Sequence, residues 1–300
     1  MINSLAISGY IKLSLACIIW GIGWSAGRYG VVHIGPYLTG EFRFLLSFLF
    51  ILPFFLYTKP AKPSFKTFLY IIPLGLTGYY INNLMAYIAL NYTTGTTASI
   101  IVMSNPMIIA VLSYFILKDK LNAVGGFSIV LSVVGALIVV VKGDFMSIIT
   151  MDVNIGNLLV VGCALCWSTY SIFIKIFENK VTIIENITYG SLLAAIGFLP
   201  FSFKPVFTGN FDMMLIGSLI FLSLFNTNIA FYFWNEGVKE ANPNTAAIFL
   251  GLIPLSSAIT ENMIFGERMA PYHVIGGALI FIGILLYVMT KRNERKAEVM

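Results

Sequence analysis

The chain has 300 residues, of which 58% are hydrophobic and 10% charged, with a mean hydropathy of +0.89. Soluble domains carry about 25% charged residues, so this composition excludes a soluble globular protein and points to a lipid bilayer. A net charge of +5 and a pI near 9.0 would suit a nucleic-acid partner, but the basic residues sort with the connectors between apolar runs, which excludes that class.

Apolar runs of about 20 residues follow one another ten times, near 10–31, 38–57, 67–90, 94–117, 121–142, 154–177, 183–203, 213–238, 243–265 and 271–290. The predicted fold is an all-α integral membrane protein of ten transmembrane helices with short connectors and no separate soluble domain. The first run lacks the basic start and small-residue cleavage site of a signal peptide and is read as a helix.

In the first run Gly21, Gly23, Gly27 and Gly30 interleave with Trp20 and Trp24. Gly23-xxx-Gly27 lets a second helix approach closely, which is a packing role. Tryptophan favours membrane interfaces, so Trp20 and Trp24 near the middle of the run read as cavity residues, together with Trp167 and Tyr170 of the sixth run. Gly23-Trp24-Ser25-Ala26-Gly27 also spells the G-x-S-x-G nucleophile pattern. That chemistry needs a strand-turn-helix elbow with a histidine and an acid in reach, whereas this run is an apolar helix and His33 and His273 fall at connectors or helix ends. Arg28 is ionisable within the same run. Glu41, Arg43, Glu185 and Glu236 lie within about two turns of a run's end, where snorkelling or local pairing accounts for them.

The third run holds Tyr79, Tyr80, Asn82 and Asn83, and the eighth holds Asn226 and Asn228. An amide facing lipid leaves its hydrogen-bonding groups unmet, so these point into the bundle, either as interhelical bonds or as solute contacts. Asn82 and Asn83 are neighbours that cannot share one face, so at most one of them need see a solute. Pro106 and Pro254 fall in the middle of the fourth and ninth runs; each deletes a backbone hydrogen bond, leaving a kink and a free carbonyl, and Asn105 belongs to the same kink. Glu261 lies seven residues past Pro254, about 10 Å along the axis, and that depth makes it the candidate for proton coupling or cation binding. Cys163 and Cys166 form a C-x-x-C with no third or fourth ligand nearby, so they read as small packing residues; no metal and no cofactor are expected.

The runs also repeat. Trp20 pairs with Trp167, Arg28 with Lys175 and Pro53 with Pro200 at an offset of 147, then Ala98 with Ala246, Pro106 with Pro254, Asp119-Lys120 with Glu267-Arg268 and Gly135 with Gly283 at 148. One inserted residue explains the change. Residues 1–145 and 154–290 therefore read as two five-helix repeats, followed by a basic cytoplasmic tail, 291–300. An odd number of helices per repeat makes the second copy start on the opposite side of the membrane, so the repeats have inverted topology. Positive-inside bias places both termini in the cytoplasm and leaves Arg28, Arg43, Lys142, Lys204 and Arg268 on the outer side.

Trp20 in a Gly-rich first helix is followed by the stretch from Ala89-Leu90 through Thr97-Ala98-Ser99 to Pro106. The second copy adds Trp234-Asn235-Glu236-Gly237-Val238, Thr245-Ala246-Ala247, Pro254 and Phe265-Gly266-Glu267-Arg268. In this order the motifs resemble the drug/metabolite transporter superfamily, specifically its EamA-type members with ten helices, over nearly the whole chain. The resemblance implies a bundle whose third, fourth, eighth and ninth helices, with parts of the first and sixth, surround a central cavity reached alternately from each side. It also implies export of amino acids, other metabolites or drugs from bacteria. The first-half counterpart of Gly266-Glu267-Arg268 is Lys118-Asp119-Lys120, and Glu267-Arg268 at the membrane edge reads as a loop-structuring pair.

The expected function is a secondary transporter of the bacterial inner membrane that moves a small organic metabolite, an amino acid-like compound or a drug, outward by alternating access. No Walker-type phosphate loop is present, so energy must come from a gradient or from the solute itself. The cavity candidates are Trp20, Trp24, Tyr79, Asn83, Asn105, Trp167, Tyr170 and Asn228, with Glu261 for coupling and Pro106 and Pro254 for helix kinks. Two alternatives come from other classes: a non-transporting membrane receptor or assembly subunit, and an intramembrane enzyme. The expected partners are a small-molecule substrate and the lipid bilayer, with proton or ion coupling at Glu261; no nucleic acid is expected, and the sequence does not specify an oligomeric state.

Overall fold

In hydrocarbon a backbone N–H or C=O has no water to bond, so each apolar run closes its hydrogen bonds on itself as a helix. The computed structural model describes residues 4–58, 65–118, 122–146, 154–177, 180–203, 211–241 and 249–299, and every regular element among them is helical. In chain order these are α1 (Ser4–Tyr57), α2 (65–89), α3 (Gly95–Leu117), α4 (Ala123–Val140), α5 (Ile155–Ile176), α6 (Ile183–Ser202), α7 (213–241), α8 (Leu252–Phe265) and α9 (Pro271–Val299). Lys59, Lys62, Asp119-Lys120, Lys204 and Thr245-Ala246-Ala247, which carry parts of the charge and repeat arguments, lie outside the described residues. So does Met300, while the backbone of 291–299 continues α9 where a separate tail is expected.

The expected connector between the first two runs is a single-residue hinge. Gly35 takes φ 80° and ψ 166°, a conformation L side chains rarely adopt, and Pro36, with no N–H to leave unpaired, restarts the helix. Thr39 Oγ1 donates to the Gly35 carbonyl at 2.7 Å. The two arms of α1, 4–34 and 36–57, are thus joined without a loop. Other helices start from side-chain caps, as the sequence chemistry dictates: Thr94, Asn122, Asn154 and Asp212 each accept from a backbone N–H three residues on. Thr182 and Glu185 form a reciprocal capping box, which is the local pairing that accounts for Glu185 near its helix end.

Burial runs inside out relative to a soluble protein. On α4, Phe127 and Val130 are 59% and 58% exposed while Ser128 and Ser132 are fully buried. Apolar groups outward and hydroxyls inward is the arrangement that lipid stabilises. Among the described residues six helical stretches are long and apolar enough to cross a bilayer: Ser8–Tyr57, Gly95–Leu117, Ala123–Val140, Ile155–Ile176, Ile183–Ser202 and Met213–Val238. The shorter helix Pro271–Tyr287 is also apolar.

Helix α1 is the central strut, packing against α6, α7 and α8. Helix α5 packs against α2 and α3, and α4 lies along α9. The α4–α9 crossing is close enough that a Cβ on Gly135 would sit 2.6 Å from the Gly276 carbonyl, and Ser132 Oγ donates to the Ile280 carbonyl at 3.3 Å. An aromatic core with Phe44, Tyr79, Tyr87, Tyr170, Phe198 and Phe231 fills the α1–α2–α5–α6–α7 side, and an aliphatic one with Ala98, Ile100, Met107, Val139 and Ile280 fills the α3–α4–α9 side.

Candidate functional site

Two pairs of helix irregularities shape the middle of the bundle. Helix α3 breaks at Met103 and Ser104 and resumes at Asn105, so Pro106 falls in a first turn where its missing N–H costs no hydrogen bond. Pro254 likewise sits in the first turn of α8, after turn residues 250 and 251. Helices α2 and α7 each carry a widened π turn, Gly75–Tyr80 and Phe221–Ile229. Hydroxyls take up the carbonyls beside them: Thr77 Oγ1 donates to Pro73 O at 2.7 Å and Thr227 Oγ1 to Leu222 O at 2.9 Å. Single π turns reset which side chains face inward, and they recur at functional sites.

These elements enclose a cavity of about 310 Å³. Trp20, Trp24 and Arg43 reach it from α1, Asn82, Asn83 and Tyr87 from α2, Asn105 from α3, Trp167 and Tyr170 from α5, and Asn226, Phe231, Trp234 and Asn235 from α7. All four tryptophans of the chain are on its wall. Three of them form one aromatic cluster: Trp20 stands edge-on to Trp167 and to Phe231, both with ring centroids 5.8 Å away, and packs on Trp234 at 5.2 Å. Trp167 continues it to Tyr170 at 5.1 Å. Gly23 lets α7 come in against α1, since a Cβ there would lie 1.9 Å from Asn226 Nδ2. The rim includes Ile174, 36% exposed.

Arg43 dominates the polar wall. It is 8% exposed, and its Nε donates to Thr227 Oγ1 at 2.9 Å, Nη1 to Asn83 Oδ1 and to the Tyr87 hydroxyl, both at 2.9 Å, and Nη2 to Asn226 Oδ1 at 2.8 Å. Asn83 and Asn226 are anchored in turn, Asn83 Nδ2 donating to Tyr79 O at 2.8 Å and Asn226 Nδ2 to Ile19 O at 3.1 Å. Asn105 is 9% exposed and its Oδ1 has no hydrogen-bond partner among the described residues.

Of the residues expected at the site, the structure brings together Trp20, Trp24, Asn83, Asn105, Trp167 and Tyr170 on one wall. Tyr79 lies behind it, fully enclosed by Phe44, Tyr170 and Phe231. Asn228 also lies behind, exchanging hydrogen bonds with Ser47 on α1 at 2.7 and 3.2 Å. The neighbours Asn82 and Asn83 both contribute to the wall; Asn82 is tied to α5 by Nδ2 to Cys163 O at 2.9 Å. Arg43 and Asn226 are both on the cavity: Arg43 reads from sequence as a residue near a helix end, and Asn226 as an inward-pointing amide making either an interhelical bond or a solute contact. The snorkelling or local pairing expected of Arg43 is replaced by bonds to two other helices, because the acceptors of α2 and α7 lie on its inward face.

Toward the other end of the first arm of α1, Glu261 does not line the cavity. That carboxylate is fully buried and pairs with Arg28, Nη1 to Oε2 at 2.5 Å; Arg28 Nη2 also meets Glu267 Oε1 at 3.3 Å, and its guanidinium lies 4.3 Å from the Phe265 ring centroid. Ser25, the serine of the G-x-S-x-G pattern, is buried in this contact and hydrogen-bonds Thr260 Oγ1 at 2.7 Å. Arg28 also lines a second, polar concavity of about 370 Å³ with Thr97, Lys142, Glu267, Arg268 and His273. At the opposite end of this arm Lys12 Nζ pairs with Glu240 Oε1 of α7 at 2.6 Å.

The family model of the EamA-like transporter family matches the chain twice, over residues 7–141 and 154–289. Similar proteins include the uncharacterised transporter YyaM of Bacillus subtilis (strain 168), 26% identical over 281 residues and 92% of each chain. The uncharacterised transporter YetK of the same organism is 25% identical over 96% of this chain and 88% of its own. An uncharacterised transporter of Archaeoglobus fulgidus is 24% identical over 92% of this chain and 96% of its own. A solved crystal structure shares the fold with a TM-score of 0.67, covering 97% of this chain and all of that one at 18% identity.

Proposed function

This chain belongs to the EamA-like transporter family as a multi-pass membrane protein, and from that premise we propose that it is a secondary carrier that exports a small organic solute by alternating access. The observation that carries the proposal is the aromatic and amide wall built from both repeats, with Ile174 on its rim; the buried Arg28–Glu261 pair off that wall serves as the seal of the proposed cycle. Trp20, Trp24, Trp167 and Tyr170 contact the apolar part of the solute, and Asn83 and Asn105 orient its polar groups. Tyr79 and Asn228 hold the wall from behind. Glu261 couples a proton or cation to the cycle: its neutralisation releases Arg28 and with it the seal.

Ten spans in two five-span repeats, 1–145 and 154–290, underlie the cycle. The π turns, the proline breaks and the Trp20–Trp167 pair at matching places in the two copies support this, and five spans per copy give inverted topology. Both termini then lie in the cytoplasm of a bacterial cell, as the basic connectors indicate, and the rim faces inward. Pro106 and Pro254 are the flexure points.

Counterflow of labelled solute in proteoliposomes tests the reading, with solutes taken from a metabolite comparison between cells lacking and overproducing the protein. A carrier exchanges cargo across the sealed bilayer, whereas a receptor or assembly subunit binds it without exchange. Counterflow unchanged when Trp20 and Trp167 are both replaced by Ala would remove the cavity assignment.

A further inference from the structure

The cavity contains a cation that no described residue neutralises. A guanidinium stays protonated at any physiological pH, and Arg43 is 8% exposed. Its four hydrogen bonds go to Thr227, Asn83, Tyr87 and Asn226, all neutral oxygens, which aim the group without cancelling its charge. The ion pairs among the described residues are Lys12–Glu240, Arg28–Glu261 and Arg28–Glu267, and no Asp or Glu lines the cavity. Glu41 is two positions away on the same helix, a spacing that does not share a face. A charge held out of water without a counter-charge is unfavourable, so a bound anion has a standing advantage there.

Two donors are left for such an anion. Nη1 gives both hydrogens to Asn83 and Tyr87, but Nη2 gives one to Asn226, so its second hydrogen is unused among the described residues. Tyr87 accepts from Arg43 and so keeps its own hydroxyl hydrogen to donate. We propose that the cavity selects organic anions: a solute carboxylate docks on Arg43 and Tyr87, and an apolar body of aromatic size packs on Trp20, Trp167 and Phe231. The unpartnered Asn105 Oδ1 takes an N–H or O–H carried by that body. Cationic solutes are rejected, because the wall offers them Arg43 and no carboxylate. The inference rests on the reading of this cavity as the solute site.

The full-length protein in detergent provides its own reporter, since every tryptophan is on the cavity wall. Intrinsic fluorescence is titrated with three probes of one shape, 3-phenylpropionate, 3-phenylpropionamide and 3-phenylpropylamine. The carboxylate saturates, the amide binds at least about tenfold more weakly, and the amine gives no saturation in the same range. R43Q weakens the carboxylate about tenfold or more and leaves the amide where it was, and R43K falls between. Amide or amine binding as tight as the carboxylate, or a carboxylate affinity that R43Q does not change, overturns the proposal. The wild-type series stands whether or not R43Q folds. A saturable amine response abolished by W167A would end anion selectivity while keeping the cavity as the solute site. No saturable response to any probe, with counterflow indifferent to W20A and W167A, would end both.

Discussion

Gly23→Ala probes the packing that aims Arg43. A Cβ at position 23 would lie 1.9 Å from Asn226 Nδ2 and 2.7 Å from its Cγ, so the carboxamide must move. Asn226 is 5% exposed and committed at both ends, Nδ2 to Ile19 O at 3.1 Å and Oδ1 to Arg43 Nη2 at 2.8 Å, so it cannot move without losing one bond or both. A neutral hydrogen bond contributes about 0.5–1.5 kcal/mol and one to a charged group about 1.5–3, and side-chain bonds between membrane helices average nearer ~0.6. Alanine returns about 0.5–1 kcal/mol of helix propensity, which leaves a net destabilisation of roughly 1–3 kcal/mol. Reversible unfolding in mixed micelles measures it. Once Asn226→Ala has removed the obstructing side chain, adding Gly23→Ala should cost nothing further and recover the propensity, so the cycle reports a coupling equal to the net cost plus that propensity, roughly 1.5–4 kcal/mol. A Gly23→Ala variant as stable as the wild type, or one whose cost persists in the Asn226→Ala background, would refute the geometry.

Glu261→Gln leaves Arg28 with Glu267 alone. Breaking a buried pair costs about 3–5 kcal/mol, and the remaining partner and the 18% exposure of the Arg28 side chain reduce this to roughly 1–3, read by the same unfolding assay. Counterflow by this variant should also lose its dependence on pH and on an imposed gradient; full retention removes the coupling role. Trp20→Ala and Trp167→Ala each remove an edge-to-face partner from the wall, an interaction worth about 0.5–1.5 kcal/mol beyond area, and each should lower counterflow more than stability. Outside the spans, Asp212 caps α7, and the Leu215 N–H, at 2.6 Å, and the Tyr29 hydroxyl, at 2.7 Å, hold its carboxyl below the usual carboxylate range. Its stabilisation is therefore complete above the unfolded value near ~3.9 and lost as pH falls through the lower folded value. The Tm gap between wild type and Asp212→Ala should be present at pH 7 and close in strong acid; a gap independent of pH would contradict the assignment.

Hydropathy and the offset of 147–148 mark the apolar helices and the two stretches that match the family, because both record what lipid and duplication impose on a segment. Pro106 and Pro254 marked breaks in equivalent places, although each falls just inside the resumed helix and the break precedes it. The hinge at Gly35-Pro36 reads as a connector by hydropathy alone, since a turn achieved by one positive φ needs no polar residues. The π turns of α2 and α7 had no visible signal: an extra residue per turn depends on which carbonyl Thr77 and Thr227 bond, and any threonine can back-bond. Six of the eight cavity candidates reach the wall because a large aromatic or amide side chain in mid-membrane has few other places to point. Arg43 escaped because depth was judged from the helix end, whereas the face decides. Seven residues past Pro36 is about 10 Å along the helix axis, far enough for Arg43 to reach the acceptors of α2 and α7. The signal was present in Asn83 and Asn226, buried amide oxygens on neighbouring helices that require a donor.

What repeats and what does not divide the molecule by role. The π turn of α2, shifted by the repeat offset, falls inside that of α7; Trp20 meets its counterpart Trp167 across the cavity; and the two proline breaks flank it. These are the scaffold. The charges break the symmetry. The counterpart of Arg43 is Gly190, where a Cβ would lie 2.6 Å from the Tyr79 ring, so the space that an arginine would enter is already filled by an aromatic from α2. The counterpart of Glu261 is Ser113, so the buried ion pair with Arg28 exists at one end only. Duplication alone would yield a neutral chamber with equivalent ends. On the proposed reading of the cavity as the solute site, one arginine at its wall and one carboxylate paired with Arg28 at one end set its charge preference and its asymmetry, so substitution of those two side chains should change what is carried, and substitution of the aromatics how well.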